Sequence, residues 1–172
     1  MKILFVGPQG SGKSTQAKLL SNFLKIPVIS TGDIFREMAS ANEWIRKILD
    51  EGRLVDDKTT AEIVKERLKE PDCDSGFIMD GYPRTIEQVK LFEPEFNLVI
   101  CLDVPKDKVI KRLMERGRTD DTLELIKRRL ELYYEQTQPL LDYYKNQGIL
   151  KEVHGMGSIK EVQNEIRKDF SK

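Results

Sequence analysis

Net charge is the first thing this sequence lacks: Lys and Arg total 29, Asp and Glu total 29, and the 172-residue chain is formally neutral. With no overall field to attract polyanions, neither nucleic acid nor an anionic membrane is expected as the main partner. Cysteine is scarce too. Cys73 and Cys101 cannot by themselves supply the four ligands of a structural zinc site, so none is expected. Cys101 falls inside the apolar run Leu98-Val99-Ile100-Cys101-Leu102 and reads as a small buried hydrophobe. Cys73, in the turn Pro71-Asp72-Cys73-Asp74-Ser75, reads as inert. No apolar run approaches membrane-spanning length and no signal peptide precedes the first expected strand, so a cytoplasmic protein is expected. Internal repeats and low-complexity linkers are also missing. The length suits one domain with a real core, for which a monomer is the default expectation.

What is present begins at the eighth of the chain nearest its start. Gly7-Pro8-Gln9-Gly10-Ser11-Gly12-Lys13-Ser14 fits G-x-x-x-x-G-K-[ST] in full and follows the apolar run Ile3-Leu4-Phe5-Val6. The glycines permit a turn tight enough to aim successive N–H groups at one anion, and a helix N-terminus adds its partial positive charge. Lys13 is placed to reach the outer phosphates and Ser14 to offer a hydroxyl to Mg²⁺. A nucleoside triphosphate is the expected ligand.

Short β-branched runs alternate with longer amphipathic segments, which predicts a parallel α/β sheet flanked by helices. Strands are expected at 2–6, 27–30, 76–80, 97–103 and 149–153. Helices are expected at 13–25, 31–39, 42–51, 57–69, 85–91, 106–116, 121–146 and 158–170. Two stretches without a strand, the helical 31–60 and the short 116–121, read as excursions from the sheet.

Five further features point to the same site. Ser30-Thr31-Gly32-Asp33 and Arg36 follow the second strand, where open α/β sheets bind ligands. Gly76-Phe77-Ile78-Met79-Asp80 is an apolar strand ending in a carboxylate suited to Mg²⁺ or its water, or else to capping the next turn. Gly81-Tyr82-Pro83-Arg84 is a rigid turn, and Gln88, four residues on, carries an amide able to pair with a nucleobase. Arg112, Arg116, Arg118, Arg128 and Arg129 would be a solvated face in isolation, but below a phosphate loop they suit a migrating phosphoryl group. Asp120-Asp121 reads as a holder of these arginines or a helix cap.

Together these segments resemble one family, the nucleoside monophosphate kinases, and within it the adenylate kinases. The resemblance covers nearly the whole chain and rests on GPQGSGKSTQ (7–16), STGDIFR (30–36), GRLV (52–55), GFIMDGYPRTIEQ (76–88), RLMERG (112–117), RTDD (118–121) and RRLELYY (128–134). It implies a three-layer P-loop NTPase fold with a five-stranded parallel sheet, an AMP-binding excursion at 31–60 and a vestigial lid at 116–121. It implies an ATP site at Gly10, Ser11, Gly12, Lys13, Ser14 and Thr15, with Arg112 on the adenine, Arg116 on the phosphates and the backbone near Gly157 at the base. The implied AMP site is Thr31, Arg36, Arg53, Leu54, Val55, Gly81, Tyr82, Pro83, Arg84 and Gln88. Arg118 and Arg129 match arginines that touch both nucleotides, and Asp33 and Asp80 match carboxylates near Mg²⁺. Lys13, Arg84, Arg116, Arg118 and Arg129 would carry catalysis.

Three positions depart from the family pattern. Ser14 stands where the family usually has Gly, so its contact with Mg²⁺ is the general P-loop expectation. Only Gly117 separates Arg116 from Arg118, which leaves almost no lid, and the 36–55 excursion is short by about one helical turn. The implied reaction is reversible transfer of the γ-phosphoryl of MgATP to AMP, giving two ADP. Thr31 and Gln88 favour AMP over the UMP or CMP of related kinases; a non-catalytic ATP/AMP sensor has little use for so many arginines. His154, the lone histidine, suits a base-flanking loop or plain surface. Trp44, Ile45, Ile48 and Leu49 recur at helical spacing as a small core, and Tyr133, Tyr134, Tyr143 and Tyr144 read as packing.

Overall fold

The computed structural model describes residues 1–118 and 121–170. Along the chain run β1 (Lys2–Val6), α1 (Lys13–Leu24), β2 (Val28–Ser30), α2 (Thr31–Ala39), α3 (Glu43–Asp50) and α4 (Asp57–Arg67). Then come β3 (Phe77–Asp80), α5 (Ile86–Leu91), β4 (Leu98–Asp103), α6 (Lys106–Arg116), α7 (Leu123–Leu132), α8 (Pro139–Asn146), β5 (Leu150–His154) and α9 (Ile159–Arg167). The five strands form one sheet in the order β2-β3-β1-β4-β5, and every pairing is parallel.

Alternation along β1 sorts its side chains to two faces. Leu4 and Val6 enter a cluster with Val64 of α4 and Leu140 and Tyr144 of α8. Ile3 and Phe5 enter another with Ala17 and Leu20 of α1 and Val162 and Ile166 of α9. Because both faces are covered, the strands read as nearly continuous apolar runs. The α2–α3 excursion has a core of its own from Phe35, Ile45, Ile48 and Val55. Trp44 does not join it: the expected fourth member is 53% exposed, since it sits one residue before Ile45 on the outer face of α3. The hairpin of α6 and α7 closes over Val109, Leu113, Ile126 and Leu130.

Local signals set the helix starts. Ser30, Asn42, Thr122 and Ser158 each accept an N–H from three residues on. The expected continuous helix over 121–146 is corrected to α7, a π-helical turn at Tyr133–Thr137, and α8. Pro139 is the cause: it has no N–H for the carbonyl of Glu135, and its ring crowds that oxygen. The preceding turn widens, with Gln138 N–H reaching Tyr133 O at 2.8 Å. Cys73 and Cys101 are both free and buried, and burial pushes the Cys101 thiol up to about 11.

Since β1, β3 and β4 run together, the P-loop, Asp80 and Asp103 emerge at one sheet edge. Leu20 is wholly buried on α1 and anchors the helix that carries Lys13. Leu20→Ala is expected to cost about 2–5 kcal/mol in urea-induced unfolding, with the parallel sheet retained by circular dichroism.

Candidate active site

The loop between β1 and α1 wraps an anion-sized space. Gly12 caps α1 in the left-handed region at φ 99°, a conformation that costs a side-chain-bearing residue about 1–2 kcal/mol. Lys13 folds back and donates from Nζ to Pro8 O at 2.9 Å. Burial pushes its pKa down to about 8, with Asp80 opposing and Arg84 and Arg116 adding to the fall. Beside it, Ser14 Oγ donates to Asp80 Oδ2 at 2.6 Å. This hydroxyl–carboxylate pair at the loop is a hard-oxygen donor set that suits Mg²⁺ and its waters.

Asp80 ends β3, and the chain then turns through Gly81 at φ 98°, where a Cβ would stand 2.5 Å from Thr31 Oγ1. The Tyr82–Pro83 peptide is cis. Tyr82 is fully buried and donates from its hydroxyl to Phe92 O at 2.5 Å and Gln88 O at 3.1 Å. That anchorage fixes the turn carrying Arg84, whose Nε donates to Gly81 O at 2.9 Å. Burial lowers the Arg84 pKa, with Asp80 opposing. Gln88 Oε1 accepts the N–H of Arg84 at 2.7 Å, so Nε2 is the end of the amide turned to other partners.

On α2, Arg36 donates to Asp33 Oδ1 at 2.5 Å. Burial opposes ionisation of Asp33, but Arg36 and Ser30 override it and hold the carboxyl below its ordinary range. The carboxylate of Asp33 is therefore engaged with Arg36. From α6, Arg112 donates to Gly155 O at 2.9 Å and Ser11 O at 3.4 Å, tying the P-loop to the turn after β5. Arg116 makes a two-pronged contact with Asp121, Nε to Oδ2 at 2.8 Å and Nη2 to Oδ1 at 2.6 Å. The Arg118 N–H joins the same carboxylate at 3.2 Å. Asp121 has a side chain only 1% exposed; burial works against its charge, and Arg116 outweighs burial to keep the carboxyl below its usual range. Asp120, expected to share this work, lies outside the described residues, as does Thr119.

These segments line one cavity of about 620 Å³. On the loop side it meets Gly10, Gly12, Lys13, Ser14, Thr15, Arg112 and Arg116. Opposite stand Thr31, Asp33, Arg36, Arg53, Leu54 and Val55, with Asp80, Gly81, Pro83, Arg84 and Gln88 on the floor. Arg118 and Arg129 also reach it.

Of the residues that the resemblance assigns to the nucleotide sites, three do not line this space, and Arg128 of the arginine series does not line it either. Ser11 is 2% exposed and its Oγ has no partner among the described residues, and Tyr82 acts from behind through its anchored ring. Gly157 is the third. It borders a second cavity of about 260 Å³ with Glu152, His154 and Glu161, because the Ser158–Glu161 capping box turns the chain away; Gly155 is the residue whose carbonyl meets Arg112. His154 is 94% exposed beside Asp103. Unforeseen wall residues are Lys18, Phe35, Arg46, Tyr133 and Thr137. The tyrosine and threonine follow Arg129 at four and eight residues, a signal of a shared face that the expectation of plain packing passed over.

The sequence is matched by relatives. Residues 5–149 match the adenylate kinase family model. An adenylate kinase of Leptospira biflexa is 42% identical over 184 aligned positions, covering 98% of this chain and 99% of the relative. One of a Nocardioides species is 40% identical over 181 positions, with coverage of 96% and 95%. One of Trichodesmium erythraeum is 38% identical over 188 positions, with coverage of 100% and 98%. A phosphate loop, a ring of guanidinium groups around a single cavity and full-length similarity agree, and the chain belongs to the adenylate kinase family.

Proposed function

We propose that this cavity transfers the γ-phosphoryl group of MgATP to AMP, reversibly, giving two ADP. The observation that carries the reading is that Lys13, Arg84, Arg116, Arg118 and Arg129, drawn from distant parts of the chain, line one space. ATP lies along the P-loop, its β and γ oxygens on the loop N–H groups and Lys13, with Arg112 against the adenine. AMP lies between Thr31, Arg36, the 53–55 backbone and Gln88, its phosphate on Arg36 and Arg84. An oxygen of the AMP phosphate attacks the γ-phosphorus in line as the bond to the bridging β–γ oxygen breaks. The attacking oxygen is already anionic at neutral pH, so no general base is needed. Arg116, Arg118 and Arg129 neutralise charge on the migrating group, and alignment supplies most of the rest.

Mg²⁺, when bound, neutralises charge on the β and γ phosphates. Ser14 and Asp80 are the residues that would hold it or its waters, with Asp33 further out because its carboxylate is spent on Arg36. Acceptor choice follows from Gln88. With Oε1 committed to Arg84, the amide offers an N–H donor, which suits the ring-nitrogen acceptor of adenine and meets a like donor in uracil or thymine. The zero net charge of the chain offers no field to polyanions, which supports work on free nucleotides.

A coupled ADP assay offering AMP, CMP, UMP and dTMP is expected to show AMP as the preferred acceptor; equal use of UMP would overturn the base reading. Arg84→Ala and Lys13→Met are each expected to cut turnover by on the order of 10² or more with the fold intact. Near-normal kinetics would remove that residue from the mechanism.

The Lys13 pKa of about 8 has a further consequence. Phosphates favour the ammonium form, so MgATP binding near pH 9 should take up a proton, seen by calorimetry in buffers of different ionisation enthalpy and absent in Lys13→Met. Affinity falls as pH rises through about 8. In the free protein the sign is opposite for stability: a lysine whose folded pKa lies below its unfolded value of 10.5 destabilises below pH 8, and the cost fades as pH rises toward the unfolded value. Lys13→Met is therefore expected to melt higher than the parent at neutral pH.

A further inference from the structure

If two nucleotides meet in this cavity, water must be kept from the γ-phosphorus, yet one residue between Arg116 and Arg118 leaves little chain to fold over it. A different contact crosses the cavity's edge. Gly52 ends α3 at φ 66°, its N–H on Leu49 O at 3.0 Å, and it is buried although it lies in a connecting turn. What buries it is α7. A Cβ at this position would stand 3.1 Å from Leu125 Cδ2, 3.7 Å from Arg128 Cδ and 3.9 Å from Arg129 Cγ.

The two sides of this contact belong to separate packing units. Gly52 is the turn of the excursion whose core is Phe35, Ile45, Ile48 and Val55. Leu125 precedes Ile126 of the α6–α7 cluster. Both units wall the cavity, through Gly52, Arg53 and Leu54 on one side and Arg118 and Arg129 on the other. A bare backbone is needed here twice over: the left-handed φ favours glycine, and a side chain would push Leu125 and the stem of Arg129 outward. The half-buried Leu125 supplies the apolar partner.

We infer that the seating of Gly52 on Leu125 is the water seal of this enzyme, doing the work of the vestigial lid. This rests on the proposed phosphotransfer. When the seal parts while ATP is bound without AMP, a water oxygen attacks the γ-phosphorus and the bond to the bridging oxygen breaks. ADP, inorganic phosphate and a proton are released.

The test compares the parent protein with Leu125→Ala, measuring inorganic phosphate release from MgATP without AMP and ADP formation with AMP. Opening the seal should raise AMP-independent hydrolysis on the order of tenfold while phosphotransfer stays within about threefold. A merely destabilised protein would lose both activities together. Leu125→Val should fall between, and Leu125→Met, which keeps the volume, should match the parent; these two preserve the test where alanine impairs folding. Hydrolysis within about twofold of the parent in a folded, phosphotransferring Leu125→Ala or Leu125→Val protein would overturn the seal. A parent protein that does not phosphorylate AMP would instead overturn the reading of the cavity.

Discussion

Repulsion among cations gathered at one cavity is the constraint to which the rest of this structure answers. Lys13, Arg36, Arg84, Arg112, Arg116, Arg118 and Arg129 all face a single space. Each would gain by leaving for solvent. Two devices hold them. Carboxylates take some: Asp33 receives Arg36, Asp121 receives Arg116, and Asp80 lies near Lys13 and Arg84. Backbone carbonyls take others, with Pro8 O holding Lys13, Gly81 O holding Arg84, and Gly155 O holding Arg112. On the proposed reading, oxygen atoms of the chain hold these cations until phosphate oxygens replace them, so binding exchanges one set of acceptors for another.

The fold makes this gathering possible by sending loops from one sheet edge. Parallel pairing on both sides of β1 aligns the ends of β1, β3 and β4, and apolar residues on both faces hold the sheet rigid beneath them. The outlying helices are packed differently. The α2–α3 excursion and the α6–α7 hairpin have cores of their own, separate from the sheet's. Tyr82 shows how rigidity reaches the site: its ring is buried and its hydroxyl tied to two carbonyls, so the turn bearing Arg84 has little freedom left.

Much of this was legible before any coordinates. The continuous apolar run Ile3-Leu4-Phe5-Val6 and the spacing of the glycines located the first strand and the phosphate loop. Short-range rules placed Thr31–Ala39 and Lys106–Arg116 at their observed bounds, since caps and apolar spacing act within a turn or two. Long-range consequences were harder to read. The π turn depends on how one proline competes with a helix that would otherwise run on. Gly157 stands beside the second cavity, where the four-residue capping box Ser158–Glu161 opens α9. Asp121's engagement with Arg116 was foreshadowed only as one of two roles, and choosing required knowing that its side chain is enclosed. Gly52 lay within a motif, but nothing in its own neighbours reveals the leucine that covers it, which comes from a helix far along the chain.

The widened turn at Tyr133–Thr137 sets a rule for how this segment is able to vary. Four residues of ordinary α-helix overshoot a full revolution by about 40°, so Arg129, Tyr133 and Thr137 would drift apart around the axis. The looser winding absorbs that drift and leaves all three on the cavity wall, while Leu140 and Tyr144 beyond it return to the interior. The π turn takes up one residue more than an α turn over the same advance, so loss of one residue here would be absorbed by ordinary winding and leave Leu140 and Tyr144 on their inward face.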